Sequence, residues 1–205
     1  MTADWGAWWA TQNLPAVEWV ACGLSFAYVY LAGRNSAWCW PLAFAGSALW
    51  AWRVWTAYDL LFDTALNVFY AVMALVGLWR WVRADGGGVQ GAASGLPIAR
   101  MSYREHVRTL AIGVALSVMM TILAEAYTTA ALPAADAATT VFSVLATFLL
   151  IGRRLENWVY FAVVDVAYVW IYLERGSVVF AATFVVYTAM AVVGYRRWRR
   201  ALPVG

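Results

Sequence analysis

Three side chains in the stretch Leu155–Tyr172 carry the chemistry that the rest of the sequence has to accommodate. Trp158, Phe161 and Asp165 stand at i, i+3 and i+7, so on a helix two aromatic faces and one carboxyl group share a stripe. The stretch is long enough to cross a bilayer, and a carboxylate near its middle is costly unless it faces a cavity or a partner. An acid beside an aromatic platform is suited to cradle a flat, cationic small molecule. The competing use of Asp165 is structural, pairing with a hydroxyl, an amide or an arginine to fix helix packing. Asn67 and Tyr70, one turn apart in another apolar segment, offer an amide and a hydroxyl. Asn157, near one end of the first stretch, serves as a cap, a gate or a ligand contact. Trp40 serves as an interfacial anchor or a cavity wall.

Other chemistries are poorly supplied. His106 is the single histidine and no ligand cluster completes it, so no metal site is expected; it reads as an interfacial cap at the start of a helix. Neither a Gly-x-Ser-x-Gly nor a His-Glu-x-x-His motif occurs, and Asp63 and Asp165 lie on different helices, so the sequence does not read as an enzyme. The chain has no lysine, which removes a retinal Schiff base. Asp63 and Glu125 read as solvated helix ends. Cys22 and Cys39 sit in or beside apolar stretches and read as packing residues. The start of the chain, with Asp4 and no basic residue, lacks the pattern of a signal peptide. No cofactor and no nucleic-acid partner is expected.

The elements that must hold these groups are apolar helices. Of 205 residues, 64% are hydrophobic and 12% charged, with a mean hydropathy of +0.68. Ordinary soluble domains are nearer half apolar and a quarter charged. An all-α integral membrane protein follows, with the lipid bilayer as its surroundings, and the fourteen tryptophans suit headgroup interfaces. The apolar segments are Val17–Ala32, Trp38–Trp55, Leu60–Val82, Val107–Ala126, Ala137–Ile151, Asn157–Leu173 and Val178–Tyr195. These predict seven transmembrane helices. The connection Arg83–Ser102 contains Gly-Gly-Gly and Gly91-Ala-Ala-Ser-Gly95 and predicts a flexible loop.

Arginines set the expected orientation. With the N-terminus outside, the inner segments hold twelve arginines, and Arg53 and Arg175 alone are left outside. The basic cluster Arg196–Arg200 then lies at the inner face and touches anionic lipid. A repeat at an offset of 117 residues strengthens the odd helix count: Tyr70/Tyr187, Met73/Met190, Gly77/Gly194, Arg80/Arg197 and Trp81/Trp198 coincide. Helix three thus matches helix seven, which predicts a parallel 3+1+3 arrangement, N-out and C-in. Residues 17–82 form the first triplet, 83–106 a cytoplasmic loop, 107–126 a linker helix and 137–198 the second triplet. Parallel repeats of this kind build secondary transporters with a site between halves near mid-membrane.

Several landmarks together resemble a known family. Glu156-Asn157-Trp158 followed by Phe161 and Asp165 is similar to the W-x-x-W-x-x-x-N/D motif of PnuC-type vitamin transporters. Trp38-x-Trp40-Pro-Leu42, Asn67-Val-Phe-Tyr70, Gly77-x-Trp-x-Trp81 and Gly194-Tyr-Arg-Arg-Trp198 fall in the family's order, from about Val17 to Arg200. The resemblance implies a SWEET-like fold in a bacterial inner membrane and facilitated diffusion of nicotinamide riboside, trapped afterwards by cytoplasmic phosphorylation. It also implies assembly as a homotrimer, and a substrate site drawn from Trp158, Phe161, Asp165, Asn67, Tyr70, Asn157 and Trp40. The sequence departs from the pattern at Phe161, where Trp is usual, at Asn67, where glutamine is common, and at Asp165, where many relatives have Asn. Relatives that carry thiamine or riboflavin share the fold, so thiamine uptake is the alternative. A passive channel or a non-transporting scaffold is a remoter one.

Overall fold

A computed structural model of the chain describes residues 16–58, 61–84, 97–127, 132–174, 176 and 178–202. Among these residues the chain forms seven helices: α1 Ala16–Gly33, α2 Cys39–Tyr58, α3 Leu61–Ala84, α4 Tyr103–Tyr127, α5 Pro133–Ile151, α6 Asn157–Glu174 and α7 Val178–Arg200. Thr64–Ala84, Tyr103–Tyr127 and Pro133–Ile151 are each long and apolar enough to span a bilayer. Asp4, and the expectation about the start of the chain, lie outside the described residues, as does the side chain of Asp63.

The helices pack as two sets. α2 lies along α3 and α1, and α6 lies along α7 and α5, while α1 against α7 and α3 against α5 join the sets. α4 packs chiefly on α5, touching α6 near its start, and Gly113 and Ser117 are its buried residues. The C-terminal ends of α1, α3, α5 and α7 converge, because Trp81 of α3 reaches Ile151 of α5, Trp198 of α7 reaches Ala32 of α1, and the Trp81 and Trp198 rings lie 6.3 Å apart. Arg34, Arg80, Arg83, Arg153, Arg154 and the arginines of α7 are thereby gathered at one end of the bundle.

α1 and α5 end in the same way. The amide of Asn35 donates to Ala32 at 2.9 Å and that of Ser36 to Leu31 at 3.0 Å; Arg153 donates to Leu150 and Arg154 to Leu149, both at 2.9 Å. These are paired Schellman closures, which require a left-handed residue, and Asn35 (φ 55°) and Arg153 (φ 50°) supply it. Asparagine tolerates that conformation readily. Arginine does not, and Arg153 is held there by burial, with its guanidinium 4.3 Å above the Trp81 ring.

The loop predicted over Arg83–Ser102 is shorter and partly fixed. Residues 85–96 lie outside the described residues, but Ala99 is bracketed onto the α5–α6 turn: its amide donates to Arg153 at 3.1 Å and its carbonyl accepts from Leu155 at 2.9 Å. The Met101 amide donates to the Glu156 carboxylate at 2.8 Å, and Arg154 pairs with Glu105 at 2.7 Å. Helix α4 starts at Tyr103, four residues before the apolar run, because Ser102 and Glu105 form a capping box. Ser102 N–H donates to the Glu105 carboxylate at 2.7 Å, and Glu105 N–H donates to the Ser102 hydroxyl at 3.3 Å. The cap expected at His106 is therefore made by Ser102; the imidazole instead stacks on Tyr160, with centroids 6.4 Å apart. α5 likewise starts at Pro133, ahead of the expected Ala137, since proline at the first helical position forfeits no hydrogen bond.

Candidate functional site

A cavity of about 270 Å³ lies between the two sets of helices. It is near the lower end of the range for small-molecule sites. Trp158, Phe161 and Asp165 from α6, Asn67 and Tyr70 from α3 and Trp40 from α2 all line it. The helical stripe at i, i+3 and i+7 thus presents both rings and the acid to one space. Asp165 is 8% exposed, and among the described residues no hydrogen bond or ion pair reaches its carboxyl group. A buried acid without a protein partner is costly, so a partner supplied by a bound molecule would be favoured there.

Asn157 is the exception among the expected contacts. It is fully buried at the start of α6, outside the cavity lining, and its side-chain amide donates to the Arg154 carbonyl. The reason is angular: one residue before Trp158, its side chain points about 100° away from the stripe, into the α5–α6 turn. Asn157 is a turn-closing residue in this arrangement.

Residues that motif reading missed complete the wall: Ser25, Tyr28, Ser47, Trp50, Ser143, Thr147, Tyr168, Phe184 and Tyr187. Nearly all of them have a counterpart. Every lining residue except Tyr28 pairs with another at a separation of 118 in α1/α5 and α2/α6, or 117 in α3/α7. The pairs include Ser25/Ser143, Trp40/Trp158, Tyr70/Tyr187 and Ala74/Ala191. The neighbours pair as well: Tyr70 lies beside Ser143 and Tyr187 beside Ser25, each across the boundary between the two sets of helices. Chemistry departs from this balance at Ser47/Asp165, Ala43/Phe161 and Asn67/Phe184. The acid and both additional phenyl rings fall on the α5–α7 side, and the amide on the α1–α3 side. The cavity therefore presents unlike chemistry on its two sides.

At the arginine-bearing end Trp40 and Trp158 line the cavity, and Trp81 and Trp198 pack behind them to make a layer of four indoles. Trp40 meets Trp81 edge-on (5.3 Å, 87°) and Trp158 meets Trp198 in the same manner (5.5 Å, 89°). All four are at most 3% exposed. Glycine makes the layer possible: a Cβ on Gly77 would stand 2.6 Å from three atoms of the Trp40 ring, and one on Gly194 2.8 Å from the equivalent atoms of Trp158. Equal distances to three adjacent ring atoms mean that each ring lies face-on against the backbone. The Trp81 and Trp198 N–H groups reach Ile151 and Ala32 carbonyls at 3.1 Å, whereas the Trp40 and Trp158 N–H groups have no partner among the described residues.

The nicotinamide mononucleotide transporter family model matches residues 15–200. A crystal structure of the vitamin B3 transporter PnuC is similar with a TM-score of 0.72 and 20% identity, covering 91% of this chain and 81% of that one. At that identity the likeness is one of fold. No curated protein matches the sequence.

Proposed function

The chain belongs to the nicotinamide mononucleotide transporter family, and we propose that it carries nicotinamide riboside, a flat cation, across the membrane by facilitated diffusion. The observation that carries this reading is the unpartnered Asp165 carboxyl beside Phe161 and Trp158 in an aromatic-walled cavity. A pyridinium ring stacks on such faces, and its charge finds the acid. The riboside is favoured over a mononucleotide because among the described residues no arginine lines the cavity, so a 5′-phosphate would meet Asp165 without a compensating cation there. Asn67 and Tyr70 supply hydrogen-bonding groups for a carboxamide or a ribose. Thiamine, also a flat cation, is the alternative substrate.

The proposed architecture is a parallel 3+1+3 bundle, N-out and C-in, with α1–α3 and α5–α7 as halves and α4 as linker. The paired lining residues and paired indole contacts support it, as does the twelve-to-two division of arginines. On this reading the four-tryptophan layer closes the cytoplasmic end, and uniport proceeds by rocking of one half against the other around the site. Residence in a bacterial inner membrane, trimeric assembly and phosphorylation of the delivered riboside belong to the same proposal.

Uptake into proteoliposomes without any ion gradient tests it. Radiolabelled nicotinamide riboside should enter and should exchange against unlabelled riboside, with thiamine, riboflavin and nicotinamide mononucleotide as competitors. Loss of initial-rate uptake on adding a protonophore, or equal uptake of the mononucleotide, would overturn the proposal.

A further inference from the structure

On the outer surface of the bundle, a groove of about 500 Å³ runs between α6 and α7, divided from the central cavity by a shared wall. Its walls are Val159, Val163 and Val166 of α6 and Val192 of α7, all between 41% and 66% exposed. Isolated exposed valines are ordinary on a membrane protein; a trough of them between two helices is the shape of an extended hydrocarbon chain. The groove ends at Arg196 and Arg199, which stand three residues apart and so share a face of α7. Both are exposed, and among the described residues neither has an acidic partner.

We propose that this groove binds one acyl chain of an anionic phospholipid whose phosphate is held by Arg196 and Arg199. Charge complementarity selects the occupant. Guanidinium groups take phosphate oxygens bidentately, and basic pockets between helices at the cytoplasmic side hold acidic headgroups. The inference takes over the membrane arrangement proposed above, in which this end of α7 lies in the inner leaflet. It gives the lipid a route to the transport site, because Trp158 and Ala191 line both the groove and the central cavity. A chain seated in the groove packs against the outer side of the wall whose inner side meets the substrate.

The test uses the full chain in detergent, titrated with phosphatidylglycerol or phosphatidylcholine, with bound lipid read by native mass spectrometry and stability by thermal shift. Phosphatidylglycerol should be retained preferentially. The double variant Arg196→Gln/Arg199→Gln should weaken that preference roughly tenfold or more, at about 1 kcal/mol per arginine. Val163→Trp, an exposed change that fills the groove, should do likewise with the arginines intact. Arg80→Gln/Arg83→Gln, which removes equal charge from α3 at the same end, should leave the preference in place. Equal loss in both arginine pairs would reduce the effect to surface potential and overturn the proposal. So would indifference to headgroup charge, or disulfide cross-linking of Val163→Cys between copies, which would assign the groove to a second copy of the chain. Lipid retention is read without transport, so its failure leaves the riboside proposal standing, and the reverse also holds.

Discussion

Trp81 donates its indole N–H to the carbonyl of Ile151 at 3.1 Å, tying α3 to the last residue of α5. The acceptor is one of the carbonyls that a helix end leaves without an internal partner. Trp198 does the same for Ala32 near the end of α1, also at 3.1 Å. Two reciprocal bonds thus close the layer beneath the cavity.

Trp81→Phe and Trp198→Phe should each remove about 1 kcal/mol of stability, more where the buried carbonyl is left bare. Cys39, fully buried beside Trp40, reports on the layer. In a Cys22→Ala background, maleimide labelling of Cys39 should accelerate in both variants. Unchanged labelling with unchanged melting would show that the two bonds hold nothing closed.

Asp165→Asn keeps the shape of the side chain and deletes its charge. Riboside affinity, measured by calorimetry on purified protein, should fall at least tenfold while the melting temperature holds or rises, since an unpartnered buried acid is being neutralised. Asn157→Ala should show the opposite pattern, a lower melting temperature with affinity retained, because Asn157 closes a turn outside the cavity.

Gly77→Ala and Gly194→Ala should be destabilising to a similar degree, by roughly 1–3 kcal/mol each, as the new methyl group meets a ring face at 2.6 or 2.8 Å. Thermal melts of the two variants compared with an exposed-site control such as Val193→Ala would check this. A large difference between them would show that the two glycine–indole contacts differ in rigidity.

Glu156→Gln should loosen the bracket between the α3–α4 connection and the α5–α6 turn, since a carboxylate accepting a backbone N–H is worth about 1.5–3 kcal/mol. Hydrogen exchange should quicken at Met101, whose amide loses its charged acceptor, and at Ala99 and Leu155, whose bonds depend on the docked strand.

Much of this arrangement is legible in the residues. Seven apolar runs gave seven helices with ends shifted by a few residues, and the two largest shifts at helix starts trace to Pro133 and the Ser102/Glu105 box, local signals that an apolar count ignores. The stripe Trp158, Phe161 and Asp165 reached the cavity because helical spacing fixes which side chains share a face. The serines of the wall were harder to read. Ser25, Ser47 and Ser143 are small polar residues in apolar helices, where hydrogen bonding to the helix's own backbone is the common use, as Ser25 does with Ala21 at 2.9 Å. The clue lay in register: α3 and α7 match at 117, but α1/α5 and α2/α6 match at 118, because one residue fewer separates Trp158 from Phe184 than Trp40 from Asn67. At a single offset of 117, Trp40 falls on Asn157 and Ser47 on Val164. That one-residue slip hides the pairing of Ser47 with Asp165.

The two indoles seated on Gly77 and Gly194 also bear on how the helices can move. Interdigitated aliphatic side chains act like gear teeth, and sliding one helix past another means lifting each tooth over the next. A flat ring resting on bare backbone has no teeth. At these two positions α2 against α3, and α6 against α7, meet as smooth bearings whose gap is the thickness of an aromatic ring. Small axial slips there cost little dispersion energy, while any approach closer than that thickness is blocked.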